Sequence, residues 1–299
     1  MTLLFLPTHQ DFNLSSTLTS HGWVVLAPNQ YVREENSFSR IEPLPSGQVA
    51  RLTISSPHQT SETSIEVRVE CPGRINKADQ AHIEAITRHM LRLDEDYTEF
   101  HALCEDQGGA WAGLAGGKGR MLRSPTLFED LVKVICTTNI QWGGTKRMVR
   151  ELVDAYGLPY GADPELKTFP APDAIAADPL EVFKSKVNLG YRAPYLHELA
   201  VGVAGGKINL DALADTSAPT AEIRRRLKAI KGVGDYAAAS MLMLLGRYDE
   251  IPMDTVFRDF VSRRYFEGGP VNSKEAAEIY ADWGRWKALA YWFEMLSFD

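Results

Sequence analysis

LKAIKGVGDYAAASMLMLLGRYDEIPMDTVFRDF, residues 227–260, decides how the rest of this chain is read. It runs from an apolar helix end through a Gly-x-Gly turn into a second apolar helix, and closes on an aspartate. Gly232 and Gly234 predict a tight hairpin, because glycine adopts positive φ and has no side chain to hold a ligand off the backbone. The helix opening at Asp235 aims its unpaired N–H groups and positive dipole end the same way, which suits a phosphate. Pro252 interrupts the next turn, and Asp254 stands at the entrance of a following helix. The layout joins a sequence-blind grip on a nucleic-acid backbone to one carboxylate held at a set distance.

Ile230, Gly232, Gly234, Pro252 and Asp254 match the L-x-G-x-G hairpin and the spaced Pro-x-Asp of the helix-hairpin-helix DNA glycosylases, a family this chain resembles. LRSPTLFEDLVKVICTTNIQW (122–142), LGYRAPYLHELA (189–200) and WGRWKALAYWFEML (283–296) look like that family's corresponding helices, so the resemblance covers residues 117–299. It implies an α+β protein with an N-terminal antiparallel β-rich domain at 1–76. An all-helical glycosylase domain follows at 77–299, with the hairpin motif at 222–246. The implied activity is base-excision repair: hydrolysis of the N-glycosidic bond of a damaged purine in double-stranded DNA. Ile230, Lys231, Gly232, Val233, Gly234 and Asp235 would hold the DNA backbone.

Loss of a purine passes through a sugar with oxocarbenium character, so a nearby carboxylate is stabilising where charge develops. Asp254 is the candidate, and it can also orient or deprotonate the attacking water. One such pairing at roughly 4 Å and an effective dielectric near ~20 gives about 4 kcal/mol. The same aspartate reads equally as a helix N-cap, and the two roles are compatible. Relatives that also cut the strand place a lysine two residues after the second hairpin glycine. Tyr236 stands there, and a phenol cannot form an imine. The implication is a monofunctional enzyme with an alkylated purine as substrate; the alternatives are an oxidised-guanine glycosylase and a non-catalytic protein that binds DNA or senses lesions. Tyr236 either stacks on a flipped base, where a cationic ring would gain about 0.5 to 2 kcal/mol, or packs the hairpin.

Flipping a base costs roughly a few kcal/mol, and something must occupy the gap. The family takes its wedge from the loop matching residues 137–142, which makes Asn139, Ile140 and Gln141 the wedge candidates, with capping or packing as their ordinary alternative. Trp142 is a candidate pocket wall. Tyr191, Trp286 and Trp292 are further pocket-wall candidates for which core packing is the favoured reading.

About 44% apolar residues in 299 support real cores, and no apolar run is long enough to span a membrane. The N-terminal MTLLFLPTHQ lacks the features of a signal peptide. A monomer in the bacterial cytoplasm, associated with the nucleoid, is therefore expected. Cys71, Cys104 and Cys136 suit reduced thiols and not a disulfide framework. None follows Asp254, where iron-sulfur relatives carry four cysteines, so no such cluster is expected. The histidines show no zinc-ligand spacing, so no metal site is expected. The resemblance requires no cofactor and leaves room for a Na+ or K+ ion on the hairpin main chain.

The net charge of −7 is unevenly spread. Basic residues gather at Lys118, Arg120, Arg123, Lys133, Lys146, Arg147 and Arg150, again at Arg224, Arg225, Arg226, Lys228 and Lys231, and at Arg258, Arg263 and Arg264. Charges further apart than a Debye length of roughly 8 Å are screened, so local sign governs backbone contact. These clusters read either as DNA-facing or as solvated helix faces, and the one flanking the hairpin favours DNA. Ahead of residue 76, GWVVLAP, QVARLTISS and TSIEVRVE predict strands with one wet face. Helical periods follow from Ala78. GGAWAGLAGGKGR (108–120) reads as a flexible connection that puts Lys118 and Arg120 near DNA. GLPYGADPELKTFPAPDAIAADP (157–179) reads as an irregular connection with at most a short helical turn.

Overall fold

A computed structural model describes residues 1–57, 63–251 and 253–298; Pro252 of the motif lies outside the described residues. The protein is a mixed α/β chain with an antiparallel sheet and many helices. In order come β1 (Thr2–Pro7), α1 (Leu14–Leu18), β2 (Gln30–Val32), β3 (Ser37–Pro43), β4 (Val49–Ser55), β5 (Ser64–Glu70), α2 (Lys77–Leu91), α3 (Thr98–Gln107) and α4 (Gly109–Ala112). Then follow α5 (Leu127–Thr137), α6 (Trp142–Tyr156), β6 (Pro159–Tyr160), β7 (Asp163–Lys167), α7 (Pro172–Ala176), α8 (Leu180–Lys186) and α9 (Ala193–Ala204). The last elements are α10 (Thr220–Lys228), α11 (Asp235–Leu244), α12 (Thr255–Tyr265), α13 (Ser273–Glu278) and α14 (Lys287–Phe298). Met1–Asp96 with Gly116–Ile208 form one compact unit, and Tyr97–Ala115 with Asn209–Asp299 form another. The change from strand to helix near residue 76 falls inside the first of these.

The first unit is built on a five-stranded sheet of order β1-β5-β4-β3-β2. Alternation in β4 and β5 buries Ala50, Leu52, Ile54, Ile65, Val67 and Val69 on one face, and the register pairs Leu52 with Val69 and Ile54 with Val67. That leaves residues such as Arg51 and Arg68 on the other face, as period-two strands require. At α2, Asn76 and Asp79 form a reciprocal capping box that starts the helix.

GWVVLAP is not a strand. Gly22–Val25 is a 3-10 turn, because its polar groups find partners outside any ladder: Trp23 Nε1 donates to Asp130 at 2.8 Å and the Trp23 carbonyl accepts from Asn29. Residues 157–179 are also more regular than expected. β6 and β7 form a small antiparallel pair, closed where the Leu158 N–H meets Thr168 Oγ1 at 3.0 Å, and α7 follows. Within 108–120, α4 interrupts the flexible connection.

A buried ionic group ties β3 to α5. Arg40 donates to Glu129 at 2.9 Å and to Glu42, while Lys133 reaches Glu129 at 2.6 Å, and all four side chains are almost fully enclosed. Removing one member would strand a charge in a dry interior.

The second unit has an aromatic interior: Trp286 stacks on Tyr248, Tyr97 bonds Tyr248 through their hydroxyls at 3.1 Å, and Phe100 lies against Trp283 and Trp286. Glu294, on α14, is buried and accepts from Tyr265 on α12 and from Tyr280. Among the described residues no helix is long and apolar enough to cross a membrane, and no three metal-ligating side chains gather.

Candidate active site

In the second unit, α10 ends at Lys228 and the chain turns through residues 229–234 into α11. Gly232 takes a φ of +88°, a conformation that a side chain would strain, and the Val233 N–H closes the turn on the Ile230 carbonyl at 3.1 Å. Ile230 and Val233 are buried and anchor the loop, leaving Lys231 and Gly234 outside. Gly234 differs from the expectation of positive φ. It sits at −87° as the N-cap of α11 with no side-chain cap, and a Cβ there would meet nothing within 4 Å. The fold itself does not need glycine at 234. What the missing side chain leaves open is an approach from outside to the N–H groups of α11.

Tyr236, on the first turn of α11, is 39% exposed. It does not serve as core packing of the hairpin in the way Ile230 and Val233 do. Asp254 is the N-cap of α12, its Oδ1 accepting from the Phe257 N–H at 2.8 Å. Partial burial pushes its carboxyl above the ordinary aspartate range, against the pull of hydrogen bonds from Phe257 and Val256. A desolvated carboxylate acts more strongly on a nearby cation than a solvated one. Exposed Met253 and Val256 flank it in sequence.

The wedge candidates lie in the first unit, between α5 and α6. Asn139 adopts a left-handed φ of +47°, is exposed, and donates to Tyr191 Oη at 3.4 Å. Tyr191 is 51% exposed and therefore not core; the Arg192 guanidinium lies over its ring at 4.5 Å, and Arg192 also donates to the Thr138 carbonyl. Ile140 folds back over Gly144, where an added Cβ would come within 2.4 Å of its Cδ1. Gln141 is exposed as the N-cap of α6, without a side-chain cap bond. Trp142, first residue of α6, lays its indole on Gly22: a Cβ there would stand 2.3 Å from Cζ2. No local pattern signals this contact, since 120 residues of chain separate the two. Trp286 is buried as expected, and Trp292 is half-buried.

The basic clusters divide. Arg120 and Lys133 are buried and serve the interior of the first unit, so neither contributes to a positive face. Arg123 pairs with Glu95 and Arg147 with Glu151, while Lys146 and Arg150 are exposed. Around the hairpin, Arg224 pairs with Glu250, Arg225 and Arg226 with Glu222, and Lys228 with Asp235. Arg263 and Arg264 pair with Asp259 and Glu294. These surfaces carry interleaved ion pairs, as solvated helix faces do, because the acids come from neighbouring turns and helices.

No protein-family model matches the chain. Among solved structures, it is similar to the 3-methyladenine DNA glycosylase of Archaeoglobus fulgidus, with a TM-score of 0.73 at 20% identity over 99% of this chain and 98% of that one. The 8-oxoguanine glycosylase/lyase of Clostridium acetobutylicum in its apo form matches with a TM-score of 0.72 at 17% identity, over 99% of this chain and 96% of that one. Its complex with double-stranded DNA containing cytosine opposite 8-oxoG matches at 0.67 and 18% identity, over 96% and 92%. Likeness at such low identity speaks for architecture, and in architecture the agreement runs nearly end to end: the chain has the fold of the helix-hairpin-helix DNA glycosylases.

Proposed function

We propose that this protein is a monofunctional DNA glycosylase that flips a damaged, alkylated purine from duplex DNA and hydrolyses its N-glycosidic bond. The observation that carries the proposal is the pairing, in one compact unit, of an open glycine hairpin at the start of α11 with the half-buried Asp254 carboxylate. In this reading residues 230–235 hold a phosphate. Asp254 stabilises the developing sugar cation and orients the attacking water. Tyr236 presents its exposed ring to the base; the wedge is proposed at Asn139, Ile140 and Gln141, and a pocket wall at Trp142. Tyr236 in place of an amine supports base release by water and an intact strand. The N-terminal strands form the β-rich part of the first unit, together with helices of residues 116–208, and the protein acts as a monomer in the cytoplasm. The hairpin tip residues Lys231, Gly232 and Val233 offer only main-chain carbonyl oxygens, a donor set suited to Na+ or K+ and not to a transition metal.

The likeness to an 8-oxoguanine glycosylase/lyase makes oxidised guanine the second substrate to assay. The test is single-turnover base release from end-labelled duplexes carrying a stable 3-methyladenine analogue, 7-methylguanine, hypoxanthine or 8-oxoguanine, read with and without alkali. Breaks only after alkali, on alkylated duplexes, are expected. Breaks without alkali would overturn the monofunctional reading, and tight binding with no release would leave a non-catalytic DNA-binding protein.

A further inference from the structure

The second hairpin helix opens on a negative charge. Asp235 is the first residue of α11, and its side chain is 77% exposed beside the N–H groups that the proposed function offers to a phosphate. An acidic residue suits that place for the helix alone, since Gly234 supplies no side-chain cap and the dipole end is positive. For DNA it is a liability, because the carboxylate and the incoming phosphate are like charges well within a Debye length of roughly 8 Å. The fold supplies a neutraliser. Lys228, in the last turn of α10, places Nζ 2.7 Å from Asp235 Oδ1 and spans the hairpin from one helix to the other. This contact holds the Asp235 carboxyl below the ordinary aspartate range. The neighbouring arginines of α10 have acids of their own, Arg224 with Glu250 and Arg225 and Arg226 with Glu222, and Arg224 adds a smaller through-space pull on Asp235 than Lys228 does.

We infer that Lys228 is a positioning residue for DNA capture, which keeps the N-terminus of α11 receptive to a phosphate by neutralising Asp235 across the hairpin. The inference deepens the proposed function and rests on its DNA-binding part. It assigns Lys228 no contact with a base and no part in bond cleavage, so its effect is the same on damaged and undamaged duplexes.

The experiment is equilibrium binding of a fluorescein-labelled undamaged duplex, followed by anisotropy at several KCl concentrations, with melting temperatures to verify folding. Lys228→Met is expected to weaken binding about tenfold at low salt, and the deficit shrinks as salt rises. Asp235→Asn, which keeps the main-chain N–H offered to the phosphate and removes the like charge beside it, binds about twofold or more tighter than the parent at low salt. The double variant returns to within about twofold of the parent, because removing the carboxylate removes the need for the lysine. Lys184→Met, which breaks the exposed Lys184–Glu181 pair on another helix with the same change in net charge, leaves binding unaltered. Parent-like binding by Lys228→Met would overturn the inference. So would a double variant as weak as Lys228→Met, which would make the lysine itself the phosphate ligand, or an equal loss in Lys184→Met. A parent protein that shows no salt-dependent duplex binding would overturn the DNA reading itself.

Discussion

Asp254 Oδ1 accepts a hydrogen bond from the Phe257 N–H at 2.8 Å, so the carboxylate proposed for catalysis is also the cap of α12. Substitution separates the two jobs. Asparagine caps about as well as aspartate, so Asp254→Asn should unfold in urea within about 0.5 kcal/mol of the parent while single-turnover base release falls on the order of a thousandfold. Asp254→Ala should lose the turnover and about 1 kcal/mol of stability as well. An asparagine variant with parental turnover would remove Asp254 from the chemistry.

The two hairpin glycines should fail differently. At φ +88°, Gly232→Ala strains the backbone and should cost about 1–2 kcal/mol in urea unfolding. Gly234 has ordinary φ and open space, so the entropic gain of Gly234→Ala and the poorer N-cap that alanine makes should offset, leaving stability within about 0.5 kcal/mol of the parent. Its binding to any duplex should nevertheless weaken, because the new methyl stands between backbone and phosphate. Unchanged affinity would rule out a close approach at this residue.

Gly22 and Trp142 form a seat with no spare room. Gly22→Ala must displace the indole, at a cost of about 1–3 kcal/mol. In a Trp142→Ala background the same substitution should cost little, and the double-mutant cycle measures the difference. Additive effects would mean that the ring lies elsewhere in solution.

Stability should carry two opposed pH slopes, one from Glu42 of the buried ionic group and one from His21, a separate ring whose Nε2 meets the Leu122 carbonyl at 2.7 Å. Burial pushes the Glu42 carboxyl up to about 7, with Glu129 adding to the rise and Arg40 and Lys133 opposing it. Unfolded, it titrates near 4.5, so its contribution is full below 4.5 and is lost as pH rises through 7. Burial lowers His21 to about 3, against 6.5 unfolded, so its contribution is present above 6.5 and is lost as pH falls towards 3. Urea midpoints between pH 4.5 and 8 should therefore show a shallower alkaline decline in Glu42→Gln than in the parent. Identical curves would remove Glu42 from the balance.

Deleting the shared acid of that group tests its structural weight. Glu129→Ala leaves Arg40 and Lys133 enclosed without their common partner and should cost about 3–5 kcal/mol, read from urea unfolding. A loss under about 1 kcal/mol would mean that water reaches the cavity and solvates both cations.

What the sequence determined by itself is local. Alternation in 49–55 and 64–70 specifies strands because side-chain direction in an extended chain has period two, and Gly232 specifies a turn because φ +88° belongs to the backbone of that one residue. Asp254 is legible as a cap for the same reason, since its partner is three residues away. Only the tertiary structure decided which charges face water. Lys133 sits in a basic run by sequence and in the interior by structure, because its acid Glu129 also serves Arg40, 89 residues distant. The Trp23 indole of the Gly22–Val25 turn is buried against Asp130, 107 residues on. Trp142 rests on a glycine that no local pattern links to it. Local dihedral preference acts through the residue and its near neighbours, whereas burial, charge pairing and close contact depend on chain segments that only folding brings together.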